Sequence, residues 1–387
     1  MPVGTLPGDG RASGPNRVEA LDFTHTGPGA LAGRYLRTFW QPVFVAADLP
    51  AGRSVPIRIM DEQLTLYRGE TGTAHLVAFR CAHRGTQLST GWVEGDDLRC
   101  FYHGWKYDAT GQCIEQPAEP EPFCGRISIR AFPTEEYIGL IFAYLGEGQP
   151  PLLPRYPEFE DSDSALEAGR ADWPCNFFQR NENTPDLTHV AFVHRQSSPA
   201  IPRMESATET DFGIAVSVSY PDGSASTARL QMPNKSQFRL PPRSADEVRG
   251  RDNVFWRVPV DDDNHVSFSA TVMHLTPEAA RQAADKPRIA NGADHLQRIR
   301  ELGDSVLAGA AHISDVMQGP YDRVTIMEVQ DYVSMVGQGN NVDRGLDHPG
   351  RADLGIVLLR KVWERELQAL ADGRPLTQWD RTPLPGP

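Results

Sequence analysis

The period of the hydrophobic pattern changes near residue 150. From about Tyr35 short apolar runs follow one another at 42–46, 55–60, 63–68, 74–80, 98–101 and 105–108. Clusters such as Gly69-Glu70-Thr71-Gly72 and Ala109-Thr110-Gly111-Gln112 separate them. Many short strands with frequent turn signals predict an all-β sandwich or barrel. The run 137–145 reads as its last strand, and Gly146-Glu147-Gly148-Gln149-Pro150-Pro151 ends the pattern. Beyond it the pattern is mixed. Ile214, Val216, Val218 and Tyr220 alternate, as do Val266, Phe268, Ala270 and Val272, which predicts half-buried antiparallel strands. Segments 186–194, 294–311 and 353–370 read as helices, the last with Leu354, Val357, Leu358 and Val362 near one face. The predicted organisation is a tail and lead-in at 1–34, mobile over 1–17, an all-β domain at 35–150 and an α+β domain at 151–387. No internal repeat or low-complexity block interrupts it.

A chain of 387 residues suits two or three domains. Thirty-eight Lys and Arg against 51 Asp and Glu give a net charge of −13, which argues against a nucleic-acid partner, since phosphate needs a basic patch. The longest nearly unbroken apolar stretch, 137–146, is about half of a membrane span. Met1-Pro2-Val3-Gly4-Thr5 does not begin a signal peptide, so a cytoplasmic, reducing location is expected. There, an odd set of five cysteines points to ligands rather than a disulfide framework.

Two cysteines have histidine neighbours. Cys81-Ala82-His83-Arg84-Gly85 is followed by Cys100-Phe101-Tyr102-His103-Gly104-Trp105, a C-x-H and a C-x-x-H on two turns. Two Cys and two His suit zinc or an iron–sulfur cluster. A zinc finger usually puts its Cys on one hairpin and its His on one helix. Here each loop offers one of each, which suits a two-iron cluster with both thiolates on one iron and both imidazoles on the other. Gly85 and Gly104 let backbone amides approach the sulfides. The motifs resemble those of Rieske [2Fe-2S] proteins. The resemblance implies that Cys81 and Cys100 bind one iron and His83 and His103 the other. Respiratory members of that family carry a disulfide between the loops; Thr86 and Tyr102 stand at those positions, as in the Rieske domains of oxygenases. Cys113, Cys124 and Cys175 lie outside the pattern and read as inert core residues.

A second constellation follows the proline-rich boundary. Asn183-Thr184-Pro185-Asp186-Leu187-Thr188-His189 continues to His194, reading N-x-x-D-x-x-H-x(4)-H. Two His and a carboxylate suggest the facial triad that binds Fe(II) and leaves positions open for O2. Satisfied core histidines are the plain alternative. Five residues of regular helix would turn the two rings about 140° apart, so the helix must end or distort between them. The block is similar to the catalytic motif of Rieske non-haem iron oxygenases, phthalate-dioxygenase-like members included. That resemblance implies His189 and His194 as iron ligands. It also implies a distant Asp, matched here by Val329-Gln330-Asp331 ahead of Gln338-Gly339 and Asp343-Arg344. Asp186 is the competing third ligand; Asp315 and Asp322 are weaker rivals. With Asp331 as ligand, the resemblance makes Asp186 a bridge from His189 to His83 or His103 of a neighbouring subunit. Asn183 then lies near the iron, although it and Pro185 also read as a helix start.

The resemblance spans about 35–370. It implies an α+β protein: a Rieske domain, then a catalytic domain whose antiparallel sheet is flanked by helices in a helix-grip (START-like) arrangement. It further implies a mononuclear Fe(II), O2 as co-substrate, and a head-to-tail homotrimer. Electrons would come from NAD(P)H through a separate reductase, with or without a ferredoxin; no nucleotide-binding glycine motif is visible in the chain itself. The implied reaction is hydroxylation or O-demethylation of a small aromatic acid, with cis-dihydroxylation as the alternative. A Rieske electron carrier without catalysis and a zinc-stabilised binding protein are readings from other classes. For an acid substrate Arg203, Arg229, Arg239, Arg243 and Arg257 are all available. His25, His75, His265, His274, His295, His312 and His348 have no metal spacing, though His274 and His312 could reach a pocket.

Overall fold

A computed structural model describes residues 22–160, 164–198, 200–242, 244–284 and 293–379. The predicted mobile tail at 1–17 and Arg243 lie outside the described residues.

The first half builds three small antiparallel sheets. In chain order its strands are β1 (Trp40–Val45), β2 (Arg53–Ile59), β3 (Glu62–Arg68), β4 (Ala74–Ala78), β5 (Trp92–Glu94), β6 (Asp97–Arg99), β7 (Lys106–Tyr107), β8 (Cys113–Glu115), β9 (Ala131–Phe132), β10 (Thr134–Tyr137) and β11 (Leu140–Tyr144). They pair as β1-β11-β10, β2-β3-β4-β9 and β5-β6-β7-β8, after one helix, α1 (Leu31–Arg37). Two strands are shorter than their apolar runs. The run 74–80 ends as a strand at Ala78 and 98–101 at Arg99, so Cys81 and Cys100 leave the sheets and sit in turns. Tyr67, Val77, Leu98, Trp105 and Tyr107 pack with both cysteines into a small core beneath those turns.

The second half is one seven-stranded sheet with helices. Its strands are β12 (Ser164–Trp173), β13 (Arg203–Thr210), β14 (Gly213–Ser219), β15 (Ala225–Gln231), β16 (Lys235–Leu240), β17 (Glu247–Pro259) and β18 (His265–Leu275), in the order β12-β18-β17-β16-β15-β14-β13, every pair antiparallel. The helices are α2 (Phe177–Asn183), α3 (His189–Val193), α4 (Pro277–Ala284), α5 (Ala293–Leu307), α6 (Ile313–Gln318), α7 (Arg323–Val336) and α8 (Leu354–Ala371). The pattern predicts α5 and α8 to within a few residues. It does not predict α7, although Thr325, Val329 and Tyr332 are buried at helical spacing and Asp322 caps the first turn by accepting from the Val324 and Thr325 amides. The helix expected at 186–194 is shorter: α3 covers only His189–Val193, and a turn at 184–188 separates it from α2.

The central strands have two different faces, as a period of two requires. Val254, Trp256 and Val258 of β17 and Val266, Phe268 and Ala270 of β18 enter the main core. That core is continuous with Leu64, Leu66 and Phe142 of the first half and with Phe177, Phe178 and Trp363 on α2 and α8. The opposite face of β12, β17 and β18 turns towards a second cluster under α5, α6 and α7, which holds Trp173, Ile299, Val329 and Tyr332. Glu182 at the end of α2 pairs with Arg344 (2.9 Å) and with Arg360 of α8 (2.6 Å), fixing where the turn after α2 begins.

Trp363 is fully buried, with ring centroids 5.2 Å from Tyr35 and 5.3 Å from Phe178. It therefore ties α1, α2 and α8 together. Replacing a buried aromatic by Ala costs about 3–5 kcal/mol. Trp363→Ala is expected to lose that much stability in urea unfolding while retaining the slope of the transition.

Candidate metal centres and the cavity beside one of them

Each loop of the first half closes on itself. The Cys81 amide donates to the Thr86 carbonyl and the Gly85 amide to the Cys81 carbonyl, at 2.8 and 2.9 Å. In the second loop the Cys100 amide donates to Trp105 (2.8 Å) and the Gly104 amide to Cys100 (3.1 Å). Both turns need a left-handed residue, supplied by Gly85 (φ 76°) and Gly104 (φ 73°). A Cβ on Gly104 would also meet Pro117 Cγ at 2.9 Å.

The four side chains divide into pairs. The Cys100 thiol interacts with that of Cys81, while the His83 and His103 rings lie with centroids 4.6 Å apart. A tetrahedral zinc with bonds of about 2.0–2.3 Å needs all four donors within about 4 Å of one another. Among the described residues, no three of these four converge within even 4.8 Å. Two pairs that do not share a point suit two irons rather than one zinc. The donors are also prepared for a metal. His83 Nδ1 is buried without a hydrogen-bond partner, and the ring stacks on Trp105 at 4.5 Å. Burial pushes the Cys100 thiol up, a cost that a bound metal reverses. Tyr107 Oη accepts the Ala82 amide at 3.1 Å, so its own proton points to Cys81 Sγ at 3.2 Å. Hydrogen bonds to cluster sulfurs raise the reduction potential.

The second centre is built by α2, α3 and α7. Asp186 Oδ1 accepts the Thr188 and His189 amides at 3.0 and 3.1 Å, which starts α3 and explains why the helix begins only at His189. α3 ends at Val193, and His194 leaves helical geometry (φ −106°, ψ 31°). The break brings the two rings to a centroid distance of 5.6 Å. Their tautomers are set from behind. His189 Nδ1 donates to the Asp186 carbonyl oxygen, and His194 Nδ1 donates to Gln330 Oε1 at 2.9 Å. Both Nε2 atoms thus carry lone pairs, and with Asp331 they form the one set of three such donors within 4.8 Å of one another among the described residues.

Asp331 completes the arrangement. Its Oδ2 accepts from Arg180 Nη1 at 3.2 Å. Its Oδ1 lies 3.2 Å from His194 Nε2 yet makes no hydrogen bond, because two lone pairs face each other there. A buried oxygen and an imidazole nitrogen left in this way fit a cation between them. Burial alone would raise the Asp331 carboxyl; the Arg180 guanidinium beside it outweighs burial and holds it well below the usual carboxylate range. Asn183 Nδ2 approaches His189 Nε2 at 3.4 Å. The Asp186 carboxylate stays on the opposite side of His189, with Oδ2 at 3.7 Å from Nδ1. The rivals Asp315 and Asp322 cap α6 and α7.

A cavity of 120 Å³ opens beside Asp331. Trp173, Phe255 and Tyr332 line it with Arg180 and Arg257. Arg180 lies over the Trp173 ring at 4.4 Å. Arg180, Gln330 and Trp173 escape the sequence reading. Gln330 was legible only as the neighbour of Asp331, and Arg180 only as one turn before Asn183. Of the arginines proposed for an acid substrate, Arg203 is exposed, Arg239 pairs with buried Asp252 (2.6 Å), and Arg229 lines no part of the cavity. His274 bonds Asp252 at 2.7 Å instead of reaching the cavity. His312 caps α6 and borders a separate, wider cleft. Burial pushes the Cys113 and Cys175 thiols up to about 12, in keeping with inert core residues.

Comparison with known proteins adds four findings. Residues 39–134 match the Rieske [2Fe-2S] domain family. The chain is 27% identical over 367 residues to the 5,5'-dehydrodivanillate O-demethylase oxygenase subunit of a Sphingobium species, covering 91% of this chain and 80% of that one. It is 30% identical over 381 residues to the tert-butanol monooxygenase / tert-amyl alcohol desaturase oxygenase subunit of Aquincola tertiaricarbonis, covering 88% and 75%. Its fold is similar to that of the oxygenase of carbazole 1,9a-dioxygenase in its reduced complex with ferredoxin, with a TM-score of 0.59, 19% identity and coverage of 88% and 93%. No helix among the described residues is long and apolar enough to cross a membrane.

Behind the cavity, His265 is fully buried, stacks on Trp173 at 6.0 Å, and donates from Nδ1 to the Cys175 carbonyl at 2.7 Å. Burial, reinforced by Arg180 and Arg257, lowers the ring to about 3. The unfolded chain takes up this proton near 6.5 while the folded chain refuses it, so stability falls as pH drops from 6.5 towards 3. The loss over that whole span amounts to about 5 kcal/mol. Urea midpoints measured between pH 7 and 4 are expected to show it, and His265→Gln to flatten the slope.

Proposed function

Because the chain belongs to the Rieske non-haem iron oxygenases, we propose that it is the terminal component that inserts oxygen into an aromatic acid, either at a ring carbon or at a methoxy carbon that then leaves as formaldehyde. The observation that carries this reading is the set of three lone-pair donors, His189, His194 and Asp331, of which Asp331 also lines a cavity walled by aromatic rings. The O-demethylase among the relatives supports the demethylation branch. The tert-butanol enzyme shows that the family also includes proteins named for small alcohols, so aromaticity rests here on Trp173, Phe255 and Tyr332.

In this reading Cys81 and Cys100 hold one iron of a [2Fe-2S] cluster, His83 and His103 hold the other, and His189, His194 and Asp331 hold a mononuclear iron. When bound, the cluster supplies single electrons and the mononuclear Fe(II) supplies O2 activation. The protein's own part is positional. Gln330 and the Asp186 carbonyl keep the Nδ1 protons of the two histidines away from the metal. Arg180 keeps Asp331 ionised and leaves its second oxygen free. The aromatic rings orient the substrate and exclude water. Electrons come from NAD(P)H through a separate reductase, directly or by a ferredoxin. The ferredoxin complex of the carbazole oxygenase supports such a partner.

We further assign Asp186 the role of bridge in a head-to-tail homotrimer. Its Oδ2, which no amide occupies, is free to take an N–H from a cluster histidine of the next subunit. A heterologous interface of this kind closes by threefold rotation.

The tests separate these roles. Purified protein is expected to carry three irons and two acid-labile sulfides per chain, and light scattering to give three chains per particle. Cys100→Ser should abolish the reduced-cluster signal in electron paramagnetic resonance. Asp331→Ala should lose the mononuclear iron and all product formation with the cluster intact. Metal analysis that finds the mononuclear iron lost from Asp186→Ala and kept in Asp331→Ala would reverse the two assignments. Asp186→Asn should keep trimer and metals, yet slow single-turnover reoxidation of the cluster by about a hundredfold.

A further inference from the structure

On the cavity face of the central sheet an apolar pattern is interrupted by charge. Phe255 and Arg257 of β17 and Ser267 and Ser269 of β18 turn towards it. Arg257 and Ser267 are direct partners in the strand register. Both are buried, at 6% and 8% exposure. Both are also unsatisfied: Arg257 Nε and Nη1 and Ser267 Oγ have no hydrogen-bond partner. Among the described residues Arg257 has no ion pair. The nearest obvious candidate, Asp331, accepts from Arg180 instead. The guanidinium rests on the Phe255 ring at 5.1 Å.

An unpaired guanidinium in the interior is costly, and two adjacent unsatisfied donors more so. Their common feature is the ligand they lack. A carboxylate offers two oxygens in the plane of the guanidinium fork and has a lone pair to spare for a hydroxyl. The other cations of the cavity are already engaged. Arg170 pairs with Asp172, Arg300 donates to the Asp172 carbonyl at 2.7 Å, and Arg180 holds Asp331. Arg257 is therefore the buried guanidinium of the cavity left without a partner among the described residues, and it accommodates one carboxylate. The volume of 120 Å³ sets an upper limit: a cavity of about 150 Å³ holds one benzene ring, so no more than a single ring is accommodated.

We propose that Arg257 and Ser267 form the carboxylate-binding end of the substrate cavity, so that the substrate is a single-ring aromatic monocarboxylate lying between this pair and Asp331. The proposal rests on the preceding reading of the cavity as the place of oxygen insertion. It selects benzoate-type acids over dicarboxylates and over neutral aromatics.

The test is calorimetric binding to the anaerobic, metal-loaded enzyme, with 4-methoxybenzoate, 4-methoxybenzamide and phthalate as probes. Wild type is expected to bind the monoacid at least about a hundredfold more tightly than the amide, because the amide leaves the guanidinium uncompensated. Phthalate should bind as weakly as the amide. Arg257→Met should abolish the preference for the acid, Arg257→Lys should retain part of it, and Ser267→Ala should weaken the acid about tenfold. Without ligand, Arg257→Met should melt no lower than wild type, since it removes an unpaired buried charge. A marked fall in its melting temperature would assign the guanidinium a structural role and overturn the proposal. So would acid binding to Arg257→Met at wild-type affinity, or a wild type that prefers the amide. The two readings fail differently. Acid that binds through Arg257 but yields no hydroxylated or demethylated product leaves the subsite standing and removes the reaction. Equal turnover of the acid by wild type and Arg257→Met, with electrons supplied, keeps the reaction and removes the subsite.

Discussion

Two imidazole N–H bonds govern the second half of this protein. One runs from His189 to a backbone carbonyl in the turn after α2, the other from His194 to Gln330 on α7. Each fixes a tautomer and so decides which nitrogen faces inward. Reversing either ring would bring a proton rather than a lone pair towards Asp331. The surrounding architecture serves these two bonds. Glu182 anchors the end of α2 through Arg344 and Arg360, Asp186 restarts the chain as α3, and α7 presents Gln330 and Asp331 as consecutive residues.

The electrostatics are local despite the acidity of the whole chain. Asp331 carries its charge in a buried place because Arg180 meets one oxygen and the Trp173 ring supports the guanidinium from behind. The pairing is one-sided, which leaves the second carboxylate oxygen open. In the first half the same economy is achieved by backbone. Two glycine turns aim the donors, and Tyr107 passes an amide hydrogen bond on towards Cys81 as a phenol proton.

What the sequence made legible was local. Cys81, His83, Cys100 and His103 lie within two short turns, so their spacing carries the geometry. The pair His189 and His194 was also readable, with the need for a helix break between them; α3 supplies the break at His194. Asp331 was reached by resemblance alone: its helix was not read from the pattern, although Thr325, Val329 and Tyr332 are buried at helical spacing. The sheet was harder. β17 carries Arg251, Asp252, Asn253 and Arg257 at buried positions, which hides a central strand behind a polar composition. Which arginine faces the cavity depends on strand register and on how α5 and α7 cover the sheet. Neither is written in any short window of residues.

The cavity has two walls of separate origin. Asp331 comes from α7, while Phe255, Arg257, Ser267 and Ser269 come from alternate positions of two neighbouring strands. Residues between them on those strands belong to the main core and are fixed by packing. Substitution on the strand wall can therefore change what enters without disturbing the histidine–carboxylate set, and without costing the core a single contact. A lineage built on this plan can keep its chemistry while its diet drifts, one alternate strand position at a time.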